Sequence, residues 1–159
     1  MENLQKSVGA MGIGVAGDVA KGLHSYFLEL HGVAKDDSVV AGGFVQSSDT
    51  DELVIGASGV SITGKILGIA GRRFVSGLDN SAIYPKNETI PYIVRGAVFI
   101  ETETPAKKGQ YVFLKTADGA LAFGDTQELA DHTFTGWQVI VGTGDKVNTL
   151  GHDIIVVMA

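Results

Sequence analysis

Residues Gly12-Ile13-Gly14-Val15-Ala16-Gly17-Asp18 spell G-x-G-x-x-G, the spacing that cradles a dinucleotide pyrophosphate at a helix N-terminus. An acidic pair, Asp36–Asp37, follows about twenty residues on, where that fingerprint places a carboxylate for a ribose hydroxyl. The same chemistry needs a buried strand before the glycines and a long helix after them. The preceding stretch, from Glu2 to Met11, is too polar for a buried parallel strand. Gly22 interrupts the following helical pattern in its second turn, and beyond residue 38 the chain carries strand patterns without crossover helices. The glycines are therefore read as structural, and no cofactor is expected.

The other reactive residue types fare no better. His24 and His31 are both compatible with one helical face, but the H-E-x-x-H pattern of zinc peptidases is missing. His132 follows Asp131 and His152 precedes Asp153; strand neighbours point to opposite faces, so neither pair can act as a base with its orienting carboxylate. No G-x-S-x-G elbow offers a nucleophile. Asp49, Asp51 and Glu52 resemble a fragment of a calcium loop that lacks its sixth-position glycine and distal glutamate, and a solvated loop is expected there. The chain has no cysteine, which excludes disulfides, thiolate metal sites and cysteine nucleophiles. No catalytic, cofactor-binding or metal-binding residue is assigned, and the expectation is a protein that is not an enzyme.

The elements that would position such residues are strands. Glycine accounts for 22 of 159 residues and proline for 3; an interior glycine costs a helix roughly 1 kcal/mol against alanine, whereas turns and bulges accept it. Period-two runs appear at 38–46, with Gly42–Gly43 as a bulge, and at 61–70, 72–77 and 90–102, the last bent at Gly96. A hairpin is expected where 110–115 and 120–123 flank Thr116-Ala117-Asp118-Gly119, because Asp-Gly between apolar strands supplies the turn. Runs 135–142 and 153–158 close the chain. The one helical candidate, 18–32, contains Ser25–Leu30, a run equally readable as a strand. About eight short strands spaced by turns predict a mainly β fold: one antiparallel β-sandwich or barrel, with at most one short helix and a flexible N-terminal arm. The expected division is an arm over 1–34 and a β-domain over 35–159.

A net charge of −6 with scattered lysines and arginines argues against nucleic acid as a partner, since backbone neutralisation needs clustered cations. No apolar run approaches the length of a membrane span, and the polar start carries no signal-peptide pattern. A protein made in a cytosol is expected.

Several segments, in order, resemble the structural cement or head-decoration proteins of tailed bacteriophages. They are GIGVAGDVA (12–20), GVAKDDSVVAGGFVQ (32–46), GKILGIAGRR (64–73), TIPYIVRGAVFIETETPAKKGQYVFLKTADGALAFG (89–124) and TGWQVIVGTGDKVNTLGHDIIVVMA (135–159). The acidic, Ser/Thr-rich loop at 47–53 departs from the pattern. The resemblance implies a non-enzymatic virion protein, made in the host cytoplasm, that binds the outer surface of a phage head. It would bridge major capsid protein subunits as a homo-oligomer, a dimer or a trimer. An apolar arm could lay a strand on a shell sheet edge and gain main-chain hydrogen bonds, ordering as it binds. Val15, Val19, Tyr26, Phe27 and Leu28 are the arm residues expected to be buried on the capsid. Phe134 and Trp137 are candidates for contact between sister subunits, Trp137 being equally suited to the core. The alternatives are another virion component of the tail or a fibre, or a small β-barrel that binds a ligand in its lumen.

Overall fold

Short runs of β-branched and aromatic residues cut by glycine can bury a face only by pairing, and they pair here into three sheets. The computed structural model describes residues 16–20, 27–49, 53–72, 82–143 and 154–159. The described residues form twelve strands and no helix: β1 (Leu28–Ala34), β2 (Val39–Val40), β3 (Phe44–Ser47), β4 (Leu53–Gly56), β5 (Ile66–Ala70), β6 (Ile83–Tyr84), β7 (Thr89–Arg95), β8 (Ala97–Glu101), β9 (Tyr111–Lys115), β10 (Leu121–Gly124), β11 (His132–Val141) and β12 (Ile154–Met158). The mainly β class stands as expected. The count exceeds eight because glycines split runs that read as continuous, and because β4 and the two-residue β6 carry little periodicity of their own.

β1-β4-β3-β5-β7 close into a barrel. An odd number of strands cannot alternate in direction all the way round, so one neighbouring pair must be parallel. That pair is β1–β4, in register at Val33↔Leu53 and Ala34↔Val54. β7 closes the ring antiparallel to β1 through pairs such as Leu30↔Tyr92 and Gly32↔Ile90. A second sheet runs β10-β9-β11-β12-β8, and β2–β6 form a small ribbon.

The run 90–102 serves both large sheets. Its first half is β7 in the barrel, its second half is β8 in the second sheet, and Gly96 joins them. Gly42–Gly43, expected as a bulge, instead forms a turn between β2 and β3, closed by the Gly43 N–H donating to the Val40 carbonyl at 2.9 Å. The predicted hairpin is β9–β10, with Leu114 opposite Leu121. Gly119 supplies a φ of 69° there, a left-handed conformation that side chains disfavour. At the same turn the Ala120 N–H donates to the exposed Asp118 carboxylate, and Lys115 lies beside it; together they hold that carboxyl below its ordinary 3.8. The favourable contribution is present above 3.8 and disappears as pH falls through the lowered value.

The helical candidate over 18–32 does not form where the chain is described. Val19 is bridged to Val98 and Leu28–Ala34 is strand β1. Residues 28–34, read as arm from sequence, belong to the barrel. The expected strand at 72–77 lies, beyond Arg72, outside the described residues, as do Asp51 and Glu52 of the acidic loop.

Side chains from all five barrel strands fill the barrel: Ala34, Val54, Val45, Ala70 and Ile90 pack with Val39, Ala41 and Tyr84. The Tyr84 hydroxyl donates to the Gly71 carbonyl. A larger core lies between barrel and second sheet. Phe44, Ile69 and Ile93 from the barrel meet Val98, Ile100, Val112, Leu114, Trp137, Val139, Ile155 and Val157 from the sheet.

Candidate interaction surfaces

Glycines 12 and 14 of the G-x-G-x-x-G segment lie outside the described residues; Gly17 is described and is buried. Its φ is +92°, and a Cβ there would sit 2.9 Å from the Gly42 nitrogen and 3.0 Å from the Arg72 nitrogen, both backbone atoms. Glycine is required because two backbones cross at this point. The Gly17 N–H, which a phosphate cradle would aim at its ligand, donates to the Phe99 carbonyl at 2.8 Å. The Phe99 N–H returns to the Asp18 carbonyl and the Ala20 N–H donates to the Ala97 carbonyl. Residues 17–20 are thus stitched along the outer side of β8.

The acidic pair has local partners as well. Asp36 accepts from the Ser38 N–H at 3.0 Å, and Asp37 accepts from the Lys86 N–H at 2.7 Å. Asp49 pairs with Lys35 at 3.4 Å on the surface. His31 lies 3.4 Å from Glu29, also exposed, and His132 Nδ1 lies 2.6 Å from the Ala130 carbonyl. His24 and His152 lie outside the described residues. Among the described residues no three His, Asp or Glu side chains converge in a way that could hold a metal ion.

Three apolar exposures remain. The first is the start of β1, where Phe27, Leu28 and Leu30 are 41%, 38% and 45% exposed. Alternation places Leu28 and Leu30 on one face. β1 meets β4 only through Val33 and Ala34, so its first half stands beside β7 alone among the described residues. The second is an open groove of about 440 Å³ on the second sheet, lined by Phe113, Gln127, Glu128, Leu129, Ala130, His132 and Phe134. Phe134 meets Tyr111 edge-on at 5.7 Å and Phe113 at 5.5 Å. The third is Val40 opposite Ile83 on the ribbon, both exposed.

Phe27 and Leu28 of the sequence-selected arm residues therefore lie on the first surface. Val19 packs against the main core while partly exposed, and Val15 and Tyr26 lie outside the described residues. Of the two subunit-contact candidates, Phe134 is at the surface, whereas Trp137 is 2% exposed and packs edge-on to Phe44 at 6.2 Å. Leu30 was missed by sequence reasoning, although Leu28 and Leu30 two apart signal a strand face once the helical alternative is dropped. Leu129 and the Val40–Ile83 pair carried no such signal, because only tertiary pairing brings Val40 and Ile83 together.

Comparison with known proteins adds a family. The model described as "Structural cement protein (E217 gp24/Pam3 gp6)" matches residues 4–156. A chain of the solved structure "The capsid of Myoviridae Phage XM1" shares the fold at a TM-score of 0.66 and 16% identity, covering 92% of this chain and 90% of that one. No curated protein matches the sequence.

Proposed function

The chain belongs to the phage structural cement protein family, and from that membership we propose that it binds the outer surface of a phage head and bridges neighbouring major capsid protein subunits. It does so without catalysis, as a homo-oligomer on the virion. The observation that carries the contact itself is the ridge Phe27–Leu28–Leu30. Phe27, just before β1, and Leu28 and Leu30 within it are exposed apolar side chains at an end of the strand whose first half, among the described residues, is flanked by β7 alone. Residues 1–15 precede the point at which Ala16 enters the fold, and with Val15 and Tyr26 this segment supplies further capsid contacts. Packing of Ala34, Val45, Val54, Ala70 and Ile90 from all five barrel strands speaks against the ligand-binding alternative.

Co-sedimentation with expanded, undecorated capsids tests the proposal. The full chain is expected in the capsid pellet. Leu28→Asp combined with Leu30→Asp removes two apolar burials of about 1.5–3 kcal/mol each and should weaken binding at least about 100-fold. Truncation of residues 1–15, which spares the 17–20 stitch and all of β1, should also weaken it. A folded full-length protein that stays in the supernatant with its correct shell would sink the proposal. Unchanged binding by both variants would move the contact elsewhere.

A further inference from the structure

Sheet edges decide which chains can add to a β protein, and natural edges are usually closed, shortened or guarded by charge and proline. The barrel is closed and the outer side of β8 is covered by residues 17–20. The first half of β1 carries Glu29 and His31, and the ribbon strands are two residues long. β10 is the exception. It ends the second sheet, pairs only with β9 among the described strands, and reads Leu121-Ala122-Phe123-Gly124, without charge or proline.

Register fixes which groups face outward. The Lys115 N–H donates to the Ala120 carbonyl at 2.8 Å, so that pair is hydrogen-bonded. Alternation makes Phe113↔Ala122 the next bonded pair and leaves Leu121 and Phe123 in the non-bonded positions. The N–H and C=O groups of Leu121 and Phe123 therefore point away from β9, along the open edge. Their side chains lie at the margin of the main core, partly buried against it.

The geometry points to a second copy of this chain as the occupant, pairing β10 with β10 antiparallel about a two-fold axis through Ala122. This deepens the homo-oligomer part of the reading above and rests on it. In that register Leu121 exchanges both main-chain bonds with Phe123 of the second copy, and the reverse, so every outward group on the edge is satisfied. The two apolar side chains at the core margin then face each other across the seam. Ala122, the smallest side chain of the strand after Gly124, sits at the axis. The pairing ends with Ala120 opposite Gly124 of the second copy, because the Gly119 carbonyl already accepts from the Gly59 N–H within the same chain. The contact is isologous and closes at a dimer, joining two five-stranded sheets into one.

The native mass of the free full-length protein tests this. The wild type is expected at dimer mass. Ala122→Glu and Ala122→Lys each place like charges on the axis and should shift the mass to monomer; mixing the two should restore a dimer of mixed composition, and Ala122→Ser should remain dimeric. A monomeric or trimeric wild type, a charged variant that stays dimeric, or a mixture that stays monomeric overturns the edge pairing. Capsid co-sedimentation scored in parallel separates the two readings. A monomeric wild type that still pellets with shells overturns the dimer and leaves the capsid role standing, and a dimer that ignores shells does the reverse.

Discussion

Gln46 is fully buried, yet each polar atom of its amide is used. Its Nε2 donates to the carbonyls of Gly56 at 3.0 Å and Ser61 at 2.9 Å, and its Oε1 accepts from the N–H groups of Thr63 and Gly64, both at 2.8 Å. One side chain thereby holds the loop between β4 and β5 against β3. Removing it strands two carbonyls and two N–H groups in a place water reaches poorly. Gln46→Leu is expected to cost about 2–3 kcal/mol, seen as a drop in Tm of roughly 5–10 °C for a domain of this size. Gln46→Glu should cost more, since a carboxylate oxygen would replace the donor facing two carbonyls. Nothing in Phe44-Val45-Gln46 announces this role, because its partners are backbone groups 10 to 18 residues away. Trp137 was readable as an anchor from residue type alone; whether it anchored core or interface depended on Phe44, far away in sequence.

At the scale of elements, legibility followed the range of the deciding interaction. The β9–β10 hairpin was visible because Asp118-Gly119 carries its own turn chemistry. The structure adds that this turn is a docking point. A Cβ on Gly119 would lie 1.9 Å from the Ala57 carbonyl oxygen and 2.5 Å from that of Val60, in a left-handed conformation besides. Gly119→Ala is therefore expected to destabilise by about 3 kcal/mol or more and to raise amide exchange at Gly59 and Ile62. Those N–H groups donate to the carbonyls of Gly119 and Thr116; unchanged protection there would show that the turn and the loop at 57–62 are not coupled. β1 was ambiguous because Ser25–Leu30 supports two periodicities, and only β7, some sixty residues later, selects the strand. Gly96 was correctly read as a bend, but a bend inside one sheet and a passage between two sheets look alike in sequence.

Over the whole molecule, barrel and second sheet share one core, so neither buries its apolar face without the other. Unfolding should be a single transition in which the fluorescence of Trp137, at the seam, and far-UV circular dichroism give the same midpoint. Phe44→Ala, made on the barrel side, should cost about 3–5 kcal/mol and lower both midpoints equally; separate transitions would show two independent units. The class of the fold was legible in composition, whereas barrel closure was not, since a parallel β1–β4 pair follows from the strand count rather than from any local pattern. The stitch of residues 17–20 on β8 has a mechanical consequence. A load applied to the first fifteen residues enters at Ala16, where the Arg72 Nε and N–H groups donate to the carbonyls of Ala16 and Gly17, and passes to the sheet through the bonds that join Gly17, Asp18 and Ala20 to Phe99 and Ala97. Tension along β8 shears these bonds together, whereas tension away from the sheet peels them singly, beginning at Gly17. The direction from which the N-terminus is gripped thus sets how much force the connection bears.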